Sequence, residues 1–184
     1  MKNLAIFTMQ IVAIAATVAN ADNDIIETLP TVEQDEAKVE FVIATDELQC
    51  MTEAIYFEAR NQTVLGMIAI ANVISNRARS PDFPNTICNV VHQGPLDGSE
   101  ISLNRCQFSY FCDGQSDVFP VNDTIAEIQA ADWANLVAKR VLAGETSDWS
   151  NGSTYYHADY VAPFWSKEYE KVAVVDSHIF YIHY

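Results

Sequence analysis

The sequence predicts an α+β domain that is mainly helical and carries a small β-hairpin near its C-terminus. Apolar residues recur at helical spacing through residues 46–60, 63–79 and 124–143. Residues 171–182 instead alternate as strands do around a short turn. The chain has 184 residues, which is room for one domain of ordinary size and a short extension.

The N-terminus has the layout of a secretory signal peptide over residues 1–21. Lys2 precedes an apolar run that ends at Ala19-Asn20-Ala21, a small-x-small cleavage pattern. We expect cleavage there, a periplasmic or secreted protein and no stable membrane span afterwards; an uncleaved anchor is the alternative. Residues 22–45 are acidic and contain Pro30, which predicts a flexible linker, with a short edge strand at 39–44.

Three helices are predicted in the first half of the domain, which we place at residues 46–184. The first runs from the Thr45-Asp46 cap to about residue 60, and the second covers 63–79, where Ser80-Pro81 stops it. A short third helix within 82–93 is opened by Pro84.

The second half begins with a loop over residues 92–105, followed by a β-like segment at 106–112. A long helix then starts at a capping box of Thr124 and Glu127 and ends before Gly144. Its predicted apolar positions are Ile125, Ile128, Trp133, Leu136, Val137 and Val141. Residues 171–175 and 178–182 form the predicted hairpin, across Asp176-Ser177.

Four cysteines, an even number in an exported chain, predict two disulfides. Three pairings are open; of these we favour Cys88–Cys106 with Cys50–Cys112, which tethers the helix ends to the loop between them. A zinc site built from the four cysteines lacks a C-x2-C pair, so we expect neither a metal nor another cofactor.

Net charge argues against a nucleic-acid partner. The chain carries 25 acidic and 10 basic residues, giving −15, and no basic stripe is available to neutralise phosphates. Hydrophobic content of 49% and aromatic content of 11% fit a globular protein.

Glu58 is the candidate catalytic residue, because it shares a helical face with Met51, Ala54 and Ile55. A carboxylate on an apolar face is costly unless it is protonated, paired or used. Partial burial and the negative end of the helix dipole both favour the protonated acid, and a raised pKa suits a general acid acting on a glycosidic oxygen. The alternative is a structural ion pair with Arg77 or Arg79.

Several ordered motifs resemble those of the SleB/CwlJ-type cell wall hydrolases over residues 46–184. They are Cys50 to Arg60, Gly66 to Arg77, Ser80-Pro81, Phe83-Pro84, Cys106 to Ser109, Cys112 to Gly114, Tyr156 to Ala158, Pro163, Trp165 and His178 to Tyr181. The resemblance implies a domain similar to the lysozyme-like lytic transglycosylases. It also implies cleavage of peptidoglycan glycan strands between N-acetylmuramic acid and N-acetylglucosamine.

Carried over to this chain, the resemblance makes Glu58 the general acid and then the base. Gln107, Tyr156 and His157 are expected to line the sugar cleft, and Trp165 either stacks on a sugar or fills the core. We expect a monomer whose partner is the glycan strand.

The chain departs from the family motif at Asn61-Gln62, where the family usually has Gly-Glu after the Arg. Asn61 can adopt the left-handed cap conformation of the Gly. Gln62 removes a carboxylate, and hydrolysis by two carboxylates needs a partner for the acid. The departure therefore favours an anhydromuramic product, as a lytic transglycosylase gives.

Three rival functions stay open. An N-acetylmuramoyl-L-alanine amidase with zinc needs two or three His ligands, and the four His residues lack H-x3-H spacing. A papain-like peptidase requires a free Cys50 acting with His157. A non-catalytic glycan-binding module keeps the aromatic residues but has no need of Glu58. The physiological role, whether wall remodelling, phage lysis or spore germination, is also open.

Overall fold

The computed structural model describes residues 45–117 and 124–184, which belong to one compact unit. The predicted signal peptide, and the linker except for its last residue, lie outside the described residues. Within the described ranges, no helix combines the length and the apolar character that crossing a membrane requires.

Across residues 45–117 and 124–184, four α-helices build the core. They are α1 (Thr45–Ala59), α2 (Val64–Arg79), α3 (Ile87–Val91) and α4 (Ile125–Leu142). α1 packs against the other three, so its apolar face is fully buried at Met51 and Ile55. Burying an aliphatic side chain of this size contributes about 1.5–3 kcal/mol.

Threonine side chains cap the second and third helices. The Thr63 hydroxyl accepts a hydrogen bond from Gly66 N, and the Thr86 hydroxyl accepts one from Asn89 N. The first two helices match their predicted positions within a residue or two. α3 starts three residues beyond Pro84, because Thr86 provides the cap.

α4 begins at the predicted capping box, in which Thr124 and Glu127 satisfy each other's backbone N–H groups. Gly144 follows it with a φ of 71°, the left-handed conformation expected after a helix end. The predicted apolar face is wrong in part. Val137 and Val141 are buried, together with the small residues Ala134 and Ala138 that allow close packing. Four predicted positions are exposed instead: Ile125, Ile128, Trp133 and Leu136.

A three-stranded antiparallel sheet packs against α2. Its strands are β3 (Tyr155–Ala158), β4 (Glu170–Val175) and β5 (His178–Ile182), in the order β3-β5-β4. The predicted hairpin is confirmed as β4 and β5. β3 was not predicted, because its four residues are all half-buried and show no alternation. Two short antiparallel strands of two residues each, β1 (Leu96–Asp97) and β2 (Glu100–Ile101), lie within the loop predicted over residues 92–105.

The β-like prediction for residues 106–112 is wrong, since a 3-10 helix occupies Ser109–Cys112. Cys106 and Cys112 form a disulfide with a Cα–Cα distance of 6.0 Å. An extended strand would hold residues six apart at roughly 20 Å. The cross-link therefore requires the chain to turn back on itself here.

The favoured disulfide pairing, Cys88–Cys106 with Cys50–Cys112, is also wrong. Cys50 in α1 pairs with Cys88 in α3, at a Cα–Cα distance of 5.2 Å, and Cys106 pairs with Cys112. The reason is that α1 and α3 pack directly against each other. That contact joins two helices of the first half of the domain and leaves the other two cysteines to pair locally.

Candidate active site

A cavity of about 600 Å³ opens where the end of α1, the last turn of α2, the segment 107–109 and β3 meet. All five site residues singled out in the sequence line it: Glu58, Gln107, Tyr156, His157 and Trp165. It is also lined by Phe57, Arg77, Ser109, Tyr155, Ala158, Tyr160, Val161 and His178. Residues separated by up to 121 positions, Phe57 and His178, thus share one cleft.

Glu58 lies in the last turn of α1 and accepts a hydrogen bond from the Tyr156 hydroxyl, with 3.0 Å between the oxygens. Burial raises the pKa of Glu58 above its usual range, and this outweighs the lowering by the Tyr156 hydrogen bond and by the positive charge of Arg77. The predicted direction of the shift is confirmed. The side chain is therefore suited to carry a proton into the cleft.

Arg77 is buried beside the cleft with only 4% of its surface exposed. Its Nε donates to the Thr154 carbonyl at 2.7 Å, and its Nη1 has no partner. The guanidinium carbon lies 5.3–5.9 Å from the ring centres of Phe83, Phe108 and Tyr155. A buried cation so placed acts on Glu58 through its charge.

Glu58 does not form the ion pair with Arg77 or Arg79 that the sequence left as an alternative. Glu58 accepts from Tyr156, whereas Arg77 donates to a backbone carbonyl. Arg79 donates to the Asn76 side chain at 2.7 Å. Neither arginine is therefore the hydrogen-bond partner of Glu58.

Aromatic rings form one wall of the cleft. The His157 Nε2 lies 3.0 Å from the Tyr181 hydroxyl, and its Nδ1 lies 2.9 Å from the Ala158 carbonyl. Trp165 is half-buried and packs edge-on against the rings of His157 and Tyr181. These contacts fix the orientation of the wall before any ligand arrives. Gln107 also lines the cavity and is exposed.

Sequence reasoning missed His178 and Tyr160 as cleft residues. His178 was considered only as a metal ligand with His183, yet it is buried against the cleft with Nδ1 unpartnered, and burial lowers its pKa. It opens β5 within the matched His178-Ile-Phe-Tyr motif, which was the available signal. Tyr160 follows the Tyr-His-Ala motif by two positions and no pattern singled it out.

The departure at Asn61-Gln62 has a structural explanation. Gln62 Oε1 accepts hydrogen bonds from Ser177 Oγ at 3.0 Å and from Ser177 N at 3.4 Å, so it holds the turn of the hairpin. Asn61 is not among the described residues with positive φ, so the left-handed cap predicted for it is wrong. Helix-like hydrogen bonds continue the chain instead, from Arg60 N to Tyr56 O and from Gln62 N to Ala59 O.

The cysteine chemistry of one rival is ruled out. Cys50 is bridged to Cys88, and all four cysteines lie in disulfides, so no thiol can act as a nucleophile. In the part of the chain that the structure describes, no three His, Cys, Asp or Glu side chains come together as a metal-binding group.

Comparison with known proteins gives matches in both sequence and fold. Residues 61–181, more than half of the chain, match the family model described as Cell Wall Hydrolase. The match begins three residues after Glu58. The spore cortex-lytic enzyme of Halalkalibacterium halodurans is 29% identical over 161 residues, which are 84% of this chain and 42% of that protein. The spore cortex-lytic enzyme of Bacillus cereus is 26% identical over 138 residues, 73% of this chain and 44% of that protein.

The chain thus spans less than half the length of these two curated relatives. Among solved structures, the catalytic domain of the germination-specific lytic transglycosylase SleB from Bacillus anthracis superposes with a TM-score of 0.55 at 23% identity, covering 78% of this chain and 100% of that one. The catalytic domain of the Bacillus cereus SleB protein gives 0.53 at 23% identity, covering 81% and 99%. The mainly helical α+β fold is thereby confirmed. The chain belongs to the cell wall hydrolase family.

Proposed function

We propose that this protein degrades peptidoglycan by cleaving the glycan strand between N-acetylmuramic acid and N-acetylglucosamine, as a lytic transglycosylase with Glu58 as its single acid and base. One observation carries the proposal. Among the described residues that line the cavity, Glu58 is the only one with a carboxyl group. Hydrolysis by a carboxylate pair needs a second one about 5–10 Å away.

The family and its named relatives support the substrate. The relatives are spore cortex-lytic enzymes, and the solved neighbour is a lytic transglycosylase. A cleft of about 600 Å³ with an aromatic wall suits a sugar chain, because sugar rings present apolar faces between their hydroxyl groups.

Glu58 begins the cycle protonated and donates its proton to the glycosidic oxygen as the C1–O bond breaks. The 6-hydroxyl of the muramic sugar then attacks C1, closing the 1,6-anhydro ring, and its proton passes to the Glu58 carboxylate. The acid is regenerated and no water is consumed. Tyr156 donates to Glu58 throughout and stabilises the carboxylate form.

Export completes the proposal. A signal peptide at residues 1–21 delivers the chain to the periplasm or the medium, where the wall is accessible and disulfides persist. The protein acts as a monomer and binds the glycan strand through its own cleft.

The test is mass spectrometry of the fragments that the purified protein releases from bacterial sacculi. Glu58→Gln keeps the shape of the side chain and should lower release at least 100-fold, because the general acid is lost. Glu53→Gln is the matched control on the same helix, outside the cavity, and should leave release unchanged.

Each alternative gives a distinct product. Anhydromuramic ends that disappear with Glu58→Gln support the proposal. Reducing muramic ends mean that water is the nucleophile and contradict the transglycosylase assignment. Intact glycan with freed stem peptides, unaffected by Glu58→Gln, identifies an amidase and rejects the proposal.

A further inference from the structure

A second, smaller cavity of about 230 Å³ adjoins the main cleft. The two cavities share five lining residues, Phe57, Glu58, Ala158, Tyr160 and His178. Glu58 therefore borders both. A carboxyl group that protonates a bond between two sugars needs room for a ring on each side of that bond.

The lining of the smaller cavity is polar where it differs from the main cleft. Arg60, Asn61, Gln62 and Ser177 line this cavity alone. Arg60 is exposed, and its guanidinium carbon lies 5.6 Å from the centre of the Tyr56 ring. Guanidinium and amide groups donate hydrogen bonds to hydroxyl and acetamido oxygens, so this side suits the polar edge of a sugar.

Tyr160 is exposed to 84%, which is unusual for an aromatic ring beside a cleft. Its backbone is held on both sides, since Asp159 N donates to Ser177 O at 2.8 Å and Val161 N donates to Ala158 O at 3.0 Å. The backbone that carries the ring is thus held in place where both cavities open. A tyrosine side chain has only two torsions to restrict, so covering it with a ligand costs little conformational entropy.

We propose that the smaller cavity is a second sugar-binding subsite and that Tyr160, which lines both cavities, stacks on a sugar ring beside the bond at Glu58. The inference rests on the proposed function and adds the residues that bind on the other side of the cleaved bond. Arg60 and Asn61 bind the polar substituents of the sugar in the smaller cavity, and the main cleft holds its neighbour.

Phe164 provides a matched control. It lies four residues after Tyr160, is exposed to 82% and lines neither cavity. Replacing either ring with Ala removes a similar exposed apolar surface, so the two variants should have similar thermal stability. Only the loss of Tyr160 should weaken sugar binding.

The experiment is calorimetric titration of the full chain carrying Glu58→Gln, which prevents turnover, with the hexamer of N-acetylglucosamine as the probe. Tyr160→Ala should raise the Kd about tenfold, as expected for one lost stacking contact. Tyr160→Phe should keep the affinity within about twofold, because it keeps the ring, and Phe164→Ala should do the same. Arg60→Met should also weaken binding, by losing hydrogen bonds rather than stacking.

Equal effects of Tyr160→Ala and Phe164→Ala overturn the subsite, and so does a hexamer that shows no binding to the Glu58→Gln protein. The proposed function is judged separately, from fragments released from sacculi by the unmodified protein. A protein that releases no glycan fragments but binds the hexamer through Tyr160 would retain the subsite and reject the enzyme.

Discussion

At the scale of single residues, the site depends on how the two protonation states of Glu58 are balanced. Burial favours the neutral acid, whereas the Tyr156 hydroxyl and the Arg77 charge favour the carboxylate. A residue that serves first as acid and then as base needs both forms within reach. Tyr156 and Arg77 therefore limit how far burial raises the pKa of Glu58.

We expect Arg77→Met to raise the pKa of Glu58 further, because the neighbouring positive charge is lost. The proposed acid works only when protonated, so activity falls as pH rises through that pKa. Removing Arg77 should therefore move the alkaline limb of the pH–rate profile to higher pH, while kcat/KM near the optimum falls about tenfold or more.

The measurement is kcat/KM for release of soluble glycan between pH 4 and 9. Arg79→Met is the control, since Arg79 lies on the same helix but is exposed and contacts Asn76. The Thr154 carbonyl loses a donor in the Arg77 variant, so its unfolding temperature is compared as well. An unchanged alkaline limb would show that the charge of Arg77 does not act on the acid.

At the scale of elements, the turn of the β4–β5 hairpin is attached to the junction of α1 and α2. Asp176 Oδ2 accepts hydrogen bonds from Thr63 N at 2.9 Å and from Thr63 Oγ at 2.8 Å, while Gln62 binds Ser177. Because His178 follows this turn directly, the attachment also positions one wall of the cleft.

Gly66 is what lets the turn approach α2 so closely. A Cβ there would collide with Asp176 Oδ2 and lie 2.8 Å from Gln62 Cβ. Ala ordinarily stabilises a helix by about 1 kcal/mol relative to Gly, yet we expect Gly66→Ala to destabilise the domain by about 1–3 kcal/mol. The cost should shrink in an Asp176→Ala background, where the main collision is gone.

A double-mutant cycle from denaturant unfolding measures this coupling. Gly66→Ala, Asp176→Ala and the double variant are compared with the parent chain, with glycan release recorded for each. Simple additivity of the two single effects would mean that the turn and the helix are not in contact in solution.

The elements that the sequence predicted well are those fixed by neighbouring residues. The capping box of Thr124 and Glu127 and the turn at Asp176-Ser177 are local patterns, and both are confirmed. β3 exists only because its residues pair with β5, from Tyr155 opposite Tyr181 to Ala158 opposite His178. Its pairing partners lie 20 or more positions away, so nothing within its four residues predicts a strand.

The site residues likewise differ in how well the sequence predicted them. Glu58 was found because one apolar helical face surrounds it, and the cleft residues Gln107, Tyr156, His157 and Trp165 came from the family resemblance. Arg77 was predicted only as a possible ion-pair partner of Glu58, because helical spacing cannot show that its guanidinium lies beside the cleft. The cysteine pairing was missed because it depends on the direct packing of α1 on α3.

At the scale of the whole molecule, a net charge of −15 opposes compaction through self-repulsion. The two disulfides counteract this by restricting the unfolded chain. Cys50–Cys88 closes a loop of 38 residues and Cys106–Cys112 a loop of 6. Chain-entropy arguments give about 4 and about 2 kcal/mol for loops of these sizes.

The two cross-links should therefore differ in what their removal changes. Replacing Cys50 and Cys88 by Ala should lower the free energy of unfolding by about 2 kcal/mol more than replacing Cys106 and Cys112. The second pair flanks Gln107 and Ser109, which line the cleft, so its loss should reduce glycan release more than the first. Guanidinium unfolding and sacculus digestion of both double variants, with peptide mapping of the oxidised parent chain, measure stability, activity and pairing together. A peptide that links Cys88 to Cys106 would contradict the pairing seen in the structure. If the pairing holds but both double variants lose the same unfolding free energy, strain or structure in the unfolded state outweighs loop entropy.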